Sequence, residues 1–361
     1  MNYVHSIQSW YQKYERRVSS FSLLGGFIFD TLTLSRVDAL RDNLWVAINL
    51  VLVAVCIILL NRLESSPKQR KTASKHFWLI TALQFAFGTL IGTFVIFYFR
   101  SASLIVSWPF ILLLVLALIA NEGLKKHYDR LSFQVSFFFL SIFLFSIFIV
   151  PVLIHQIGPA IFLLSGMVSL ILLRFFFYMF NKFSGVDFKK HRQTIRLSVS
   201  TIFILINILY FTNLIPPIPL SLKEAGVYHS IGRDASGNYV VEFEDYGWRE
   251  FFSPYPNLHI TPNQMVYVYS AVFSPASFNT GIIHEWQHFD TTTNKWVTEG
   301  EVDLNVLGGR DGGYRTYSTR EGLTEGRWRV NVLTSSRQVL GRLRFNVVYT
   351  NVEPVLSVET K

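Results

Sequence analysis

The residues that most directly suggest chemistry in this chain are His284-Glu285-Trp286-Gln287-His288, which match the pattern H-E-x-x-H. In zinc metallopeptidases this pattern lies on a helix, where two histidines four residues apart share a face and bind the metal. The glutamate beside the first histidine polarises the metal-bound water as a general base. This chemistry would make His284 and His288 zinc ligands and Glu285 the catalytic base.

The residues around the motif favour a β-strand over a helix. β-branched and turn-forming residues flank it on both sides, and no helix-length apolar stripe accompanies it. In a strand, His284 and His288 would lie about 13 Å apart, at about 3.3 Å per residue, which is too far to chelate one ion. We therefore expect Trp286 to be a core residue and expect no cofactor. A zinc peptidase and a non-catalytic metal or ligand site are the alternatives.

A glycine-rich segment and several aromatic residues supply further candidates. Residues 308–318 lack the lysine-threonine ending and the strand-to-helix transition of a phosphate-binding loop. Arg310 and Arg315 in this segment could contact an anionic group. Trp296 and Tyr317 could belong to a platform that stacks on sugars, although core packing also explains such residues. These four residues are the predicted surface for a ligand or partner.

The elements that carry these residues fall into two compositions. The chain of 361 residues is 50% hydrophobic, contains 33 Phe and has a mean hydropathy of +0.33, which is too apolar for an ordinary soluble protein. Its net charge is +9, but the basic excess lies in the first 220 residues and the remainder is slightly acidic. This distribution indicates basic membrane loops and argues against a nucleic-acid partner. The single cysteine, Cys56, excludes an intrachain disulfide.

Six apolar segments are long enough to cross a bilayer, since about 20 helical residues span about 30 Å of hydrocarbon. They are residues 44–60, 77–99, 104–120, 133–154, 157–177 and 197–215. A seventh segment, 18–37, either spans or re-enters. The loops at 61–76, 121–131 and 181–196 are rich in Lys and Arg. The positive-inside rule therefore predicts that these loops are cytoplasmic and that the C-terminal region lies outside.

Three prolines, Pro216, Pro217 and Pro219, end the last apolar segment, because proline cannot continue a helix. Beyond them the apolar residues alternate, which predicts about seven or eight strands in about 140 residues. The predicted fold class is an α-helical multi-pass membrane domain with six or seven spans, followed by an all-β, immunoglobulin-like antiparallel sandwich. The predicted domains are an interfacial amphipathic helix (1–20), a transmembrane domain (21–215), a proline-rich stalk (216–225) and an extracytoplasmic β-sandwich (226–361).

The C-terminal motifs resemble a bacterial family. They are His284-x-Trp286, Gly308-Gly-Arg310, Tyr314-Arg-Thr-Tyr-Ser318, Gly326-Arg-Trp-Arg-Val-Asn-Val332 and Leu340-Gly-Arg-Leu-Arg-Phe345. In order and spacing, residues 265–348 resemble the domain-of-unknown-function family twenty-nine-fourteen, which is found at the C-terminus of multi-pass membrane proteins. The resemblance implies a bacterial envelope protein without an assigned activity. It also implies that Glu285 and His288 are incidental to the family pattern.

These observations predict a protein of the bacterial inner membrane with a periplasmic β-sandwich. Its partners would be the lipid bilayer and an envelope protein or glycan, which the sandwich binds or scaffolds without catalysis. A membrane-tethered zinc metallopeptidase is the first alternative. A transporter or channel is the second, and the scarcity of ionisable residues in the apolar segments disfavours it. The sequence does not determine the oligomeric state.

Overall fold

The computed structural model describes residues 39–65, 73–101, 104–123, 130–185, 191–245, 253–275, 279–307, 312–352 and 354–361. The chain divides into two compact units, of which the first comprises Met1–Arg100 and Pro109–Thr212 and the second comprises Ser101–Trp108 and Asn213–Lys361. Helices form the first unit and β-strands dominate the second. The predicted elements at 1–20 and 18–37 and the candidate residue Arg310 lie outside the described residues.

Six helices precede the strands in the described residues. They are α1 (Leu40–Ser65), α2 (Ala73–Ser101), α3 (Leu104–Gly123), α4 (Leu131–Ile154), α5 (Pro159–Phe183) and α6 (Arg192–Phe211). Each of the six apolar segments predicted from the sequence overlaps one of these helices. Five of the helices are long and apolar enough to cross a membrane, and the sixth contains a shorter apolar stretch, Val106–Asn121.

Aromatic side chains and amides connect neighbouring helices. Phe143 of α4 stacks on Phe203 of α6, with ring centroids 5.4 Å apart and an interplanar angle of 15°. Asn61 of α1 donates from Nδ2 to Gln134 Oε1 of α4 at 2.9 Å, and this contact is buried. Such contacts suit helices whose surfaces are largely apolar, because a buried amide needs a polar partner.

Eleven strands in the described residues form three sheets. They are β1 (Ser221–Tyr228), β2 (Ser230–Arg233), β3 (Tyr239–Glu244), β4 (Asn257–Ile260), β5 (Val266–Phe273), β6 (Asn279–Asp290), β7 (Lys295–Leu307), β8 (Tyr314–Arg320), β9 (Gly326–Thr334), β10 (Val339–Tyr349) and β11 (Leu356–Thr360). The central sheet has the order β1-β5-β8, the five-stranded sheet β4-β10-β9-β6-β7, and the third sheet β11-β3-β2. The pairing of β4 with β10 is parallel, and the other pairings are antiparallel.

The three sheets form layers because β5 is apolar on both of its faces. Val266 and Val268 pack with Trp286 in the core between the central and five-stranded sheets. Tyr269 points to the opposite face, where it packs with Val241 of the third sheet. Successive side chains of a strand point to opposite faces, so one strand serves both cores.

This layered arrangement differs from the predicted immunoglobulin-like sandwich. We expected seven or eight strands in an antiparallel sandwich, whereas the described residues form eleven strands in three sheets and include a parallel pair. The short strands β2, β4 and β11 have four, four and five residues. Segments of this length show too few alternations to be recognised as strands from their sequence.

The chain around the three prolines also differs from the predicted stalk at 216–225. Strand β1 begins at Ser221 and pairs with β5, so residues 221–225 belong to the β unit. Before it, the amides of Ile218 and Leu220 donate to the carbonyls of Pro216 and Pro217 at 2.9 and 3.0 Å. The proline segment is therefore a hydrogen-bonded turn that leads directly into a strand.

The core between the central and five-stranded sheets should contribute strongly to the stability of the β unit. We expect Phe345→Ala to lower the free energy of unfolding by about 3–5 kcal/mol, because the deleted ring leaves a cavity beside Trp286. As a control, Val352→Ala removes methyl groups from a side chain that is 75% exposed and should change stability by less than about 0.5 kcal/mol. Thermal denaturation of the full chain in detergent micelles measures both variants. Equal stabilities would contradict this core.

Candidate functional site

The H-E-x-x-H segment lies within strand β6, which pairs with β7 on one side and with β9 on the other. His284 and Trp286 are buried on the inner face, while Glu285 and Gln287 lie on the outer face. The helix turn that would bring both histidines and the glutamate to one metal ion is therefore replaced by an extended backbone. In the described part of the chain, no group of three His, Cys, Asp or Glu side chains is arranged to hold a metal.

His284 is the centre of a buried hydrogen-bond network between the central and five-stranded sheets. Its Nε2 lies 2.9 Å from Ser270 Oγ on β5, and its Nδ1 lies 2.9 Å from Ser318 Oγ on β8. Trp286 Nε1 donates to the same Ser318 hydroxyl at 3.1 Å, and Thr316 Oγ1 lies 3.3 Å from Ser270 Oγ. Burial lowers the pKa of His284 to about 4, so the ring is neutral at neutral pH.

This network has a structural role, although a histidine beside a serine can also activate a nucleophile. His284 and Ser270 are both 0% exposed, so a substrate has no access to either side chain. The network satisfies polar groups that would each cost about 1–3 kcal/mol if they were buried without a partner. The network also gives three positions of the C-terminal motifs a shared structural role, because His284 and Trp286 both form hydrogen bonds with the Ser318 hydroxyl group.

The outer face of the five-stranded sheet carries four arginines, which we call the arginine face. Arg327 and Arg329 lie on β9, and Arg342 and Arg344 lie on β10. The pairing of these strands places Arg344 opposite Arg329 and Arg342 opposite Asn331. Arg327 is exposed, and the other three arginines are half-buried. Strand pairing thus collects positive charges that are separated in the sequence.

Two aromatic rings flank the arginine face. Tyr255, just before β4, and Trp296, on β7, have nearly parallel rings with an interplanar angle of 13° and centroids 6.4 Å apart. The guanidinium of Arg329 lies 4.3 Å from the Trp296 ring centroid, and that of Arg344 lies 5.7 Å from the Tyr255 ring centroid. Cation–π attraction therefore helps to fix these side chains in place.

Amide side chains orient the half-buried arginines. Arg329 Nε donates to Gln287 Oε1 at 2.6 Å, and Arg342 Nε donates to Asn331 Oδ1 at 2.6 Å. Asn331 in turn donates from Nδ2 to Glu285 Oε2 at 2.7 Å. Glu285 therefore acts on the arginine face through an amide, and this contact gives it a structural explanation that needs no metal.

The arginine face has an excess of positive charge. The neighbouring Arg337 bonds Glu301 through both terminal nitrogens, at 3.0 and 2.9 Å. Among the residues that the structure describes, no carboxylate forms an ion pair with Arg329, Arg342 or Arg344. Burial, followed by the charge of nearby Arg342, lowers the pKa of Arg329 to about 10. The pairing of β9 with β10 therefore holds like charges together on this face.

A second polar cluster connects β3 and β4. Glu244 lies 2.9 Å from His229 Nε2 and 2.6 Å from His259 Nδ1, and it accepts the backbone amide of His259 at 2.7 Å. Burial opposes the charged form of Glu244, but these hydrogen bonds outweigh it and lower the pKa of the carboxyl group. The cluster ties the chain between β1 and β2 to two strands and has an evident structural role.

The structure separates the surface residues that the sequence grouped as candidates. Trp296 lies at the arginine face. Arg315 and Tyr317 lie on β8 of the central sheet, where Arg315 Nη1 donates to the Lys361 carbonyl at 2.9 Å and Tyr317 packs 5.9 Å from Tyr239. These two residues therefore face the third sheet and do not join Trp296 in one site.

Sequence reasoning missed Arg329, Arg342, Arg344 and Tyr255 as site residues. A signal for three of them was present, because arginines alternate with apolar residues along both β9 and β10. Alternation shows that residues of one strand share a face. It does not show which strands are neighbours, so the cluster itself could not be read from the pattern.

Because His284 is neutral and buried, it should make the stability of the β unit depend on pH. The pKa of His284 is about 4 in the folded chain, whereas an exposed histidine, as in the unfolded chain, has its ordinary pKa of 6.5. Between these two pH values the unfolded state therefore binds a proton that the folded state does not. Stability should therefore fall as the pH drops from about 6.5 towards 4, by up to about 3 kcal/mol.

His284→Gln should be less stable at pH 7 and should lose most of this slope. His288→Gln is the matched control, because His288 is only partly buried at the end of the same face. Thermal unfolding of the full chain in detergent between pH 4.5 and 7 measures the slopes. A slope that persists in His284→Gln would contradict the role of this residue.

The strand conformation of residues 284–288 also predicts the outcome of metal analysis. Wild-type protein and His288→Ala should have equal zinc contents by atomic absorption, since the two histidines cannot share an ion in this geometry. If the wild-type protein held about one zinc ion per chain and His288→Ala held none, the result would contradict the strand geometry and support the zinc-peptidase alternative.

Comparisons with solved structures give low similarity. The chain is 13% identical to a beta-glucosidase from Kluyveromyces marxianus, covering 28% of this chain and 14% of that chain with a TM-score of 0.20. A beta-glucosidase from Listeria innocua in complex with isofagomine is also 13% identical, covering 38% of this chain and 18% of that chain with a TM-score of 0.20. The alkylpurine DNA glycosylase AlkC from Pseudomonas fluorescens is 10% identical, covering 83% of this chain and 97% of that chain with a TM-score of 0.22. These TM-scores support no argument about fold or activity.

Comparisons of sequence agree with the motifs described above. No curated protein matches the chain. Residues 279–347, which run from the start of β6 into β10, match the family described as "Protein of unknown function (DUF2914)". The prediction that the C-terminal region contains this domain of unknown function is thereby confirmed.

Proposed function

We propose that this chain is an integral protein of the bacterial inner membrane whose β unit faces the periplasm and binds or scaffolds an envelope component. The observation that carries the proposal is the arginine face. Three half-buried arginines are held in fixed positions by amides and aromatic rings and have no carboxylate partner among the described residues. A surface of this kind is suited to recognition, because its charged donors are already oriented.

Length and composition of the helices support a membrane location. Five helices each contain an apolar stretch of sufficient length, and basic residues are concentrated in the connections before α2, before α4 and before α6. With these connections in the cytoplasm, α6 runs outwards and the strands follow on the periplasmic side. The orientation rests on this charge distribution.

The arrangement of polar groups in the β unit supports binding in preference to catalysis. The histidine nearest to serine hydroxyls, His284, is 0% exposed, and the H-E-x-x-H segment has strand geometry. On the arginine face, the half-buried arginines are held in place by the amides of Gln287 and Asn331. Such groups can bind an anion without providing an acid, a base or a nucleophile near pH 7.

Reporter fusions test the orientation. We expect alkaline phosphatase fused after Lys361 to be active and green fluorescent protein fused there to be dark, because only the former folds in the periplasm. Fusions after Gly185, in the basic connection before α6, are the matched control and should give the opposite pattern. Fluorescence after Lys361 together with phosphatase activity after Gly185 would reverse the proposed orientation.

A further inference from the structure

We infer that the arginine face binds an oxyanion, a carboxylate or a phosphate group, presented by the ligand of the β unit. This inference names the ligand chemistry of the binding function proposed above and rests on it for the source of the ligand. The site consists of Arg329, Arg342 and Arg344, with Arg327 at its exposed edge and the Tyr255 ring beside it.

The first observation is an unsatisfied donor. Arg344 Nε is buried and has no hydrogen-bond acceptor among the described residues, although the arginine opposite it, Arg329, bonds Gln287. Buried polar groups nearly always have partners, and a charged donor without one destabilises the fold. An anion bound by the terminal nitrogens of Arg344 would offset part of this cost, because it stabilises the charge of the same guanidinium.

The second observation is the way in which the neighbouring arginines are fixed. Arg329 and Arg342 each use Nε to bond an amide of the same sheet face. Among the described residues, the terminal nitrogens of these two side chains and of Arg344 have no acceptor. A guanidinium anchored through Nε presents its terminal nitrogens outwards, in the planar arrangement that matches two oxygens of a carboxylate or phosphate.

The third observation is electrostatic. Arg344 faces Arg329 across the strand pair, and Arg342 is close enough that its charge disfavours protonation of Arg329. The nearby carboxylate, Glu285, offsets only part of this charge, because among the described residues it forms no ion pair with these three arginines. Its oxygens bond Asn331 and Thr298 at 2.7 and 3.3 Å. Like charges held together in a half-buried site repel one another, and a bound anion removes this repulsion.

The oxyanion could belong to a small free anion or to a repeating envelope polysaccharide. Two probes distinguish these sources: inorganic phosphate, and polygalacturonate as a carboxylated glycan. Neutral dextran is the control for binding through sugar contacts alone. Isothermal titration calorimetry of the full chain in detergent micelles, at low salt, measures the affinity for each probe.

The two decisive variants each replace one arginine by glutamine and remove the same charge, but only one of the replaced arginines is paired with a carboxylate. Arg344→Gln should weaken binding of the recognised anion by about tenfold or more, since a charged hydrogen bond is lost. Arg337→Gln, which breaks the pair with Glu301 on the same sheet, should change binding by less than about twofold. Arg344→Lys should give an intermediate loss, because it keeps the charge without the planar donor pair.

Thermal melting without ligand shows whether the variants are folded. Arg344→Gln should melt at or above the wild-type temperature, because it removes a repulsive charge and an unsatisfied donor. The same anion should raise the melting temperature of wild type and Arg337→Gln more than that of Arg344→Gln.

Binding of phosphate that is lost in Arg344→Gln supports a small anion as the ligand, and loss of polygalacturonate binding alone supports a glycan. No binding of either probe, or equal affinities in Arg344→Gln and Arg337→Gln, would overturn the inference. The reporter fusions keep the two proposals distinguishable. If the reporters place the C-terminus in the periplasm but no anion binds, the β unit can still be a binding module, with a different ligand chemistry. If an anion binds but the reporters place the C-terminus in the cytoplasm, the site is retained and the proposed location is contradicted.

Discussion

Two serine hydroxyls, on Ser270 and Ser318, hold the neutral His284 ring between the central sheet and the five-stranded sheet. A one-residue shift of β6 would exchange its faces and place Glu285 in the core, where it would lose its hydrogen-bond partners. The alternation of β6 is therefore fixed by a polar requirement as well as by burial of Trp286. A neutral histidine suits this position, because each ring nitrogen can be matched to a hydroxyl that either donates or accepts.

The arginine face depends on this arrangement of β6. Gln287 and Glu285 point outwards only because His284 and Trp286 point inwards, and both outward residues take part in orienting the arginines. The inner face of β9 and β10 is apolar for the same reason, since Trp328 and Phe345 belong to the shared core. Side chains of β6, β9 and β10 thus alternate between the core, which stabilises the fold, and the outer face, which carries the charges proposed for recognition.

Much of the fold could be predicted because it follows from local patterns. Each of the six apolar segments predicted between residues 44 and 215 overlaps a helix, and β6, β9 and β10 alternate clearly enough to be recognised as strands. The short strands escaped prediction, since β4 has four residues and is defined by its parallel pairing with β10, a segment distant in the sequence. The predicted immunoglobulin-like sandwich was not confirmed, for a related reason. The doubly apolar strand β5, with Val268 on one face and Tyr269 on the other, accommodates a third layer.

The sequence by itself determined which segments are apolar and long, that residues 284–288 favour a strand, and that the arginines of β9 share one face. These are properties of contiguous residues, and steric and hydrophobic preferences act on them directly. Only the tertiary structure decided that Arg344 lies opposite Arg329 and that the Tyr255 ring lies beside Arg344. It also decided that His284 is satisfied by serines from two other strands. Pairing between distant segments depends on the packing of the whole unit, which no local pattern specifies.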